Sequence, residues 1–249
     1  MEPVSLRAGA GIGWITIDNP PVNALSPGVC AGLADAVERA AADRAIKVIV
    51  LRGAGRIWST GVDIGDLDTA PLLPALCARL AELETPVIAA LHGTVLGGAL
   101  ELALCARLRI ASPGTQLGFP DVSLGLLPGA GGTQRLPRLV GEAEARRLIL
   151  SGRVLPGPEA LGAGLVDHAV ADAELDEFVS DFTSRMAGRP PHAIAAIKRC
   201  FLAGRDNMQA GLDRELAETL SLYANAATLE LVDRQIARGR SKKSALERT

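Results

Sequence analysis

The sequence predicts an α/β fold, a mostly parallel sheet with right-handed helical crossovers, continued by an all-helical segment. Three observations carry this reading. Short apolar strands alternate with amphipathic helices between residues 14 and 111. The run Lys47-Val48-Ile49-Val50-Leu51-Arg52 is apolar almost throughout, as in a strand covered on both faces. After Arg135 the texture changes to helical periodicity broken by one short strand. The expected organisation is a core over residues 1–190 that carries the active site and a helical C-terminal region over 191–249.

Trp14-Ile15-Thr16-Ile17-Asp18 alternates like a strand and stops at the turn signal Asn19-Pro20-Pro21. Ser26 is a helix cap, and Leu33, Ala36, Val37 and Ala40 share one face of a helix running to about Asp43. After the 47–52 strand, residues 72–83 read as a helix and Pro86-Val87-Ile88-Ala89-Ala90-Leu91 as the next strand. Residues 97–105 form a helix and 107–111 a strand. Helices are then expected over 141–150, 174–187, 192–202, 209–224 and 227 to about 237, with Leu165-Val166-Asp167-His168 as the interrupting strand.

A chain of 249 residues can bury about three quarters of its unfolded surface. Aromatic residues are only 3%, so Ala, Leu, Val and Ile must fill the core. The 26 basic residues against 28 acidic ones argue against a general nucleic-acid binder. The tail is locally basic, with Arg234, Arg238, Arg240, Lys242, Lys243 and Arg248, which reads as a solvated helix end. Cys30, Cys77, Cys105 and Cys200 make no Cys-x-x-Cys pair and are expected as buried thiols in a reducing cytoplasm. The opening residues lack the apolar run of a signal peptide, and the most apolar stretch, 86–100, is cut by His92 and glycines and ends at Glu101. A soluble cytoplasmic protein outside the membrane is the expectation.

Several chemistries are excluded by pattern. There is no Gly-x-Ser-x-Gly elbow and no Gly-x-x-x-x-Gly-Lys-[Ser/Thr] loop. Gly129-Ala130-Gly131 imitates a dinucleotide fingerprint, but position 134 is Gln and no strand precedes it. His92, His168 and His192 share no metal-ligand spacing. What remains is two carboxylates set among glycines. Glu101 lies in Leu96-Gly97-Gly98-Ala99-Leu100-Glu101, and Asp121 precedes Gly125-Leu126-Leu127-Pro128-Gly129-Ala130-Gly131-Gly132. Carboxylates move protons, and glycine-flanked backbone offers bare N–H groups to an oxyanion. The pattern points to acid–base chemistry on a carbonyl compound, without metal or redox cofactor.

Five segments in this order resemble the crotonase superfamily of enoyl-CoA hydratases and isomerases, from about Gly13 to Ala224. They are 17–25 (Ile-Asp-Asn-Pro-Pro-Val-Asn-Ala-Leu), Gly61-Val62-Asp63-Ile64, Pro86-Val87-Ile88-Ala89-Ala90, Leu96-Gly97-Gly98 with Glu101-Leu102-Ala103, and 128–136. The resemblance implies a spiral of ββα turns, a helical C-terminal trimerisation region and assembly into trimers or hexamers. It implies that the backbone N–H groups of Val62 and Gly98 form an oxyanion hole for a thioester carbonyl. It places Glu101 and Asp121 on the two catalytic carboxylates, Asp121 standing where hydratases usually carry Glu. It also implies that Arg56 meets a CoA phosphate and that Ser59, Gly61, Asp63, Ile64, Gly97 and Gly129 lie along the substrate. Asp63 is further expected to fix its turn by accepting backbone N–H bonds. The glycine run at 129–132 is expected to orient Asp121 through its free N–H groups.

The implied activity is that of an enoyl-CoA hydratase-like lyase, adding water to or removing it from a 2-enoyl/3-hydroxyacyl thioester through a stabilised enolate. Coenzyme A enters only as part of the substrate. Asp is about 1.5 Å shorter than Glu in reach, one bond length, and this keeps an enoyl-CoA isomerase using one carboxylate as the alternative. A non-catalytic acyl-CoA binder or scaffold is the alternative from another class. Two departures from the family bear on the pocket. The stretch from Gly65 to Thr85 is short where the family roofs the acyl chain, and the tail after Leu231 lacks the usual aromatic-plus-basic pattern.

Overall fold

The computed structural model describes residues 2–65 and 71–246. It divides into two compact units, residues 1–189 and 190–249. The first unit is built on a six-stranded sheet in the order β1-β2-β3-β4-β6-β9. Strands β1 (Val4–Gly9) and β2 (Ile12–Ile17) form an antiparallel hairpin. Its two-residue turn, Ala10-Gly11, holds both residues at positive φ, +51° and +80°, the twist that suits a tight hairpin. Strands β3 (Val48–Gly53), β4 (Val87–Leu91), β6 (Leu108–Ala111) and β9 (His168–Ala169) then add in parallel.

The inner strands β3 and β4 are almost wholly apolar and buried because both faces are covered, whereas the edge strand β1 is mostly exposed. On one face Ile15, Ile17, Ile49, Leu51, Val87, Ala89 and Leu91 join the main core. That core also takes in α1 (Pro27–Ala42) and α2 (Leu72–Glu82). On the other face Ile12, Val48, Val50, Ile88 and Ile110 meet Leu175 and Val179 of α7 (Leu175–Ala187). Each such side chain contributes about 1.5–3 kcal/mol by leaving water. Ser26 caps α1 as expected, its Oγ accepting from Val29 N–H at 3.3 Å.

A second sheet, absent from the sequence reading, joins β5 (Thr94–Leu96), β7 (Gln116–Gly118) and β8 (Val154–Pro156). Its strands are three residues each, too short to show a period. The strand expected over 165–168 forms only at His168–Ala169. Over 165–167 the Leu165 and Val166 side chains enter the main core, and the Leu165 carbonyl and Asp167 turn to Arg109 instead of a strand partner. The buried Arg109 donates to the Leu165 carbonyl at 2.8 Å and to the Asp167 carboxylate at 3.0 Å. The remaining helices of this unit are α3 (Gly98–Ala103), α4 (Gly132–Val140), α5 (Glu142–Ser151) and α6 (Gly157–Gly162). Cys30, Cys77 and Cys105 are buried free thiols, whereas Cys200 is only half-buried.

The second unit consists of α8 (Pro191–Ala203), α9 (Met208–Tyr223) and α10 (Ala226–Leu246). Arg199 grips both oxygens of Glu218 at 2.6 and 2.7 Å, and Arg214 adds a third contact at 2.7 Å. Along α9, Leu212, Leu216, Leu220 and Tyr223 form an exposed apolar stripe at helical spacing. Among the described residues no helix is long and apolar enough to cross a membrane. The side chains of Arg238, Arg240, Lys242 and Lys243, and Arg248 altogether, lie outside the described residues. So does part of the short stretch after Gly65, at 66–70.

Candidate active site

The site is assembled from four pieces of backbone that the sequence marks with glycine. The first is the turn at 59–63. Asn23, 3% exposed and at φ +52°, donates through its side-chain amide to the Ala54 and Ile57 carbonyls at 2.9 and 2.7 Å. Its Oδ1 accepts from Asn19 N–H at 2.8 Å. The motif 19–25 is therefore tied to the loop that leads into this turn. Leu25 then brackets it, donating to the Gly61 carbonyl at 2.8 Å and accepting from Asp63 N–H at 3.4 Å. Ser59 is fully buried, and its Oγ accepts from Gly61 N–H at 3.1 Å. Asp63 accepts from Gly65 N–H at 3.0 Å, the turn-fixing bond expected of it.

These bonds leave Val62 N–H without an acceptor among the described residues. Gly98 N–H, at the first position of α3, is likewise without one. The two amides are neighbours. A Cβ built on Gly98 would stand 3.5 Å from Val62 N, and one built on Gly61 would stand 3.2 Å from Gly98 N. The Gly61 Cβ would also strike the Leu96 carbonyl at 2.5 Å, and Gly61 holds φ +94°. Only glycine lets the turn close against β5 and the start of α3. Leu96 N–H and Gly97 N–H are both occupied, by the Ser59 and Gly118 carbonyls.

All six residues of α3 are buried, Glu101 at 2% exposure. Its Oε1 accepts from Ala130 N–H and Gly132 N–H, each at 2.7 Å. The glycine run at 129–132 thus orients Glu101. This corrects the expectation that it would orient Asp121. The reason is geometric: α3 sends Glu101 into the run, while Asp121 sits on a separate 3₁₀ turn, Pro120–Leu124, leaning over Gly97. A Cβ on Gly97 would come within 3.2 Å of Asp121 Oδ1. Gly97, at φ +52°, therefore leaves room for the shorter carboxylate against the start of α3.

Both carboxyls titrate above their ordinary range. Burial pushes Glu101 up, the N–H groups of Gly132 and Ala130 oppose the rise, Asp121 adds to it, and Arg135 opposes it. Burial pushes Asp121 up as well, countered only by its own backbone. Asp121 Oδ2 is buried without a hydrogen-bond partner among the described residues. An unpaired buried oxygen of this kind costs about 1–3 kcal/mol, less if it holds a proton.

The structure thus brings together Val62, Gly97, Gly98, Glu101 and Asp121, with Ser59, Gly61 and Asp63 bracing the turn behind them. Ile64 is 66% exposed beyond that turn, and Gly129 is exposed at the start of its run. Arg56 is exposed and lines a different cavity, of about 710 Å³, with Arg52, His92, Asp172 and Asp176. Neither carboxylate of the site lines that cavity. The histidines have local partners: His92 the Gly55 carbonyl, His168 the rings of Phe178 and Phe182, and His192 Thr228. Sequence reasoning missed Asn23, Ala130 and Arg135. The first carried a signal in the motif 19–25, but its role as a tie between loops appears only in three dimensions.

The family model described as enoyl-CoA hydratase/isomerase matches residues 7–228 of the chain. A protein of Bacillus subtilis (strain 168) named "Probable enoyl-CoA hydratase" is 38% identical over 79% of this chain and 81% of its own length. The peroxisomal bifunctional enzyme of Cavia porcellus is 41% identical over 74% of this chain, which spans only 26% of that enzyme. Among solved structures, the enoyl-CoA hydratase of Bacillus anthracis superposes with a TM-score of 0.91 at 27% identity, covering 95% of this chain and 96% of that one.

Proposed function

The chain belongs to the enoyl-CoA hydratase/isomerase family, and from that premise we propose that it is an enoyl-CoA hydratase-like lyase acting on a 2-enoyl thioester. The observation that carries the reading is the pairing of two adjacent, unengaged amides, Val62 and Gly98, with the buried carboxyl of Glu101 and the half-buried carboxyl of Asp121. The amides are the oxyanion hole. By holding the thioester oxygen they stabilise the enolate that forms as water adds at C3. Two preorganised donors in a water-poor site are worth several kcal/mol in the transition state.

The environments divide the roles of the carboxyls. Burial raises Glu101, but it accepts two N–H bonds and lies in the field of Arg135, both of which oppose that rise and favour its ionised form. It is the base that takes a proton from water. Asp121 is desolvated with one oxygen unpaired, which favours its protonated form. It is the acid that supplies a proton to C2. Paired carboxyls in unlike surroundings, one hydrogen-bonded to backbone amides and one with an unpaired oxygen, are how one site carries acid and base together.

Gly61, Gly97, Gly129 and Ile64 are proposed to line the thioester and its pantetheine arm. Arg56 is proposed as the cation for a CoA phosphate, so Arg56→Gln should raise KM for CoA esters and leave pantetheine esters unchanged. The reaction needs no further cofactor. The exposed stripe of α9 supports assembly into a homotrimer or hexamer, since isolated proteins rarely expose such contiguous apolar surface. Buried free thiols are consistent with a reducing cytoplasm.

The decisive experiment assays 2-enoyl and 3-enoyl CoA thioesters with wild type, Glu101→Gln and Asp121→Asn. Hydration that requires both carboxyls supports the lyase. Migration of a 3-enoyl double bond that survives loss of one carboxyl makes the chain an isomerase. Binding without proton exchange at C2 makes it a scaffold.

A further inference from the structure

Three of the five residues from Pro128 to Gly132 are glycine, which makes this segment intrinsically loose. Yet two of its amides hold Glu101 Oε1 at 2.7 Å each, a geometry that requires both peptide planes to be fixed. The brace is on α4. Arg135 Nη1 donates to the Ala130 carbonyl at 2.6 Å, fixing the peptide before Gly131. The first turn of α4 fixes the peptide after it, residue 135 donating its backbone N–H to the Gly131 carbonyl at 2.8 Å whatever its side chain. The guanidinium lies directly on the Gly131 backbone: a Cβ there would meet Nη1 at 2.0 Å and Cζ at 2.9 Å. Gly131 also holds φ +105°. The helix start therefore holds the peptide after Gly131, and the guanidinium alone clamps the peptide before it, between the two donors.

We propose that Arg135 is a positioning residue for Glu101, its guanidinium fixing the run at 130–132 so that both amides face the carboxylate. This rests on the reading of Glu101 as the base. The charged and titratable groups around that carboxyl are Asp121 from the 3₁₀ turn, Cys105 at the end of α3, Cys77 from α2 and Arg135 from α4. Arg135 is the cation of this set, and its field favours the ionised base. A lysine at 135 would keep the charge but could not lie flat on Gly131 while donating sideways, because an ammonium is a point charge and a guanidinium a planar fork.

The test compares Arg135→Gln and Arg135→Lys with wild type in two readouts. One is the pH profile of enoyl thioester hydration. The other is a ¹³C titration of the Glu101 carboxyl, assigned through Glu101→Gln. Arg135→Gln is expected to lower kcat on the order of 10–100-fold with KM nearly unchanged, the size of effect a misplaced catalytic group produces. It should also move the acid limb and the Glu101 titration to higher pH. Arg135→Lys should restore the titration towards wild type while kcat stays low. An unmoved Glu101 titration in Arg135→Gln, or wild-type kcat in Arg135→Lys, overturns the proposal. The second criterion holds even if the glutamine variant does not fold. If Glu101→Gln hydrates normally, it is the base assignment that fails.

Discussion

Replacing Gly98 with alanine places one methyl group at the point where the two free amides meet, and the structure gives its cost. The new Cβ would stand 2.7 Å from Leu73 Cδ2 and 2.9 Å from Val62 Cγ2, against an ordinary carbon–carbon contact of about 3.5–4.0 Å. Leu73 Cδ2 ends a rotatable side chain and can yield, although Leu73 is only 2% exposed. Val62 is β-branched, and its Cγ2 can retreat only if its backbone moves. That movement carries the Val62 amide out of register with the thioester oxygen. Overpacking of this kind costs about 1–3 kcal/mol of stability. For a chain of this size that is roughly 2–4 °C in Tm per kcal/mol. Misplacing one oxyanion donor costs about 3–4 kcal/mol in the transition state, or roughly 10²–10³ in kcat. The assay is hydration of a 2-enoyl-CoA, followed by loss of the conjugated chromophore, beside a thermal melt. Val62→Ala in the same chain removes Cγ2 and should recover part of the loss. A Gly98→Ala enzyme within twofold of wild-type kcat, at an unchanged Tm, would refute the convergence of these amides on the substrate.

Glu101→Gln should lower kcat by about 10²–10⁴, the usual worth of a general base. Wild-type activity should fall as pH drops through a value above the ordinary 4.5 of glutamate, because burial raises this group and the base must be ionised. Asp121→Asn should abolish most hydration yet raise Tm at neutral pH. A carboxyl whose pKa is raised on folding contributes stability below its unfolded pKa and loses it as pH rises through the folded one. Melts across the pH range would check this, and an unchanged or lower Tm at neutral pH would contradict it. The opposite sign holds for Glu218, which Arg199 and then Arg214 push down to about 2. Its stabilisation is full above about pH 4.5 and fades as pH falls towards 2, so Glu218→Gln should flatten the acid side of the stability profile. Finally, Leu216→Glu on the α9 stripe should shift light-scattering mass to smaller species if that stripe is an assembly surface.

What the sequence determined by itself was whatever short-range pattern encodes. Period-two and continuous apolar runs set β2, β3, β4 and β6, and the Ser26 cap with its apolar face set α1. Glycine beside carboxylate marks Glu101, Asp121 and the turn at Val62 in the sequence itself. The pairing of those pieces was not local. The three-residue strands β5, β7 and β8 carry no legible period, yet they bring residues 59–62 beside the start of α3. Which carboxylate the glycine run serves depended on the direction in which α3 sends Glu101, not on the shorter sequence distance to Asp121. Arg135 lay in the segment 128–136 with no role legible in the sequence, and only folding laid it on Gly131. Local composition decides what the chain can form, because propensity and burial act residue by residue. Tertiary structure decides which donor meets which acceptor, because a hydrogen bond between residues 101 and 130 exists only once the core has closed around both.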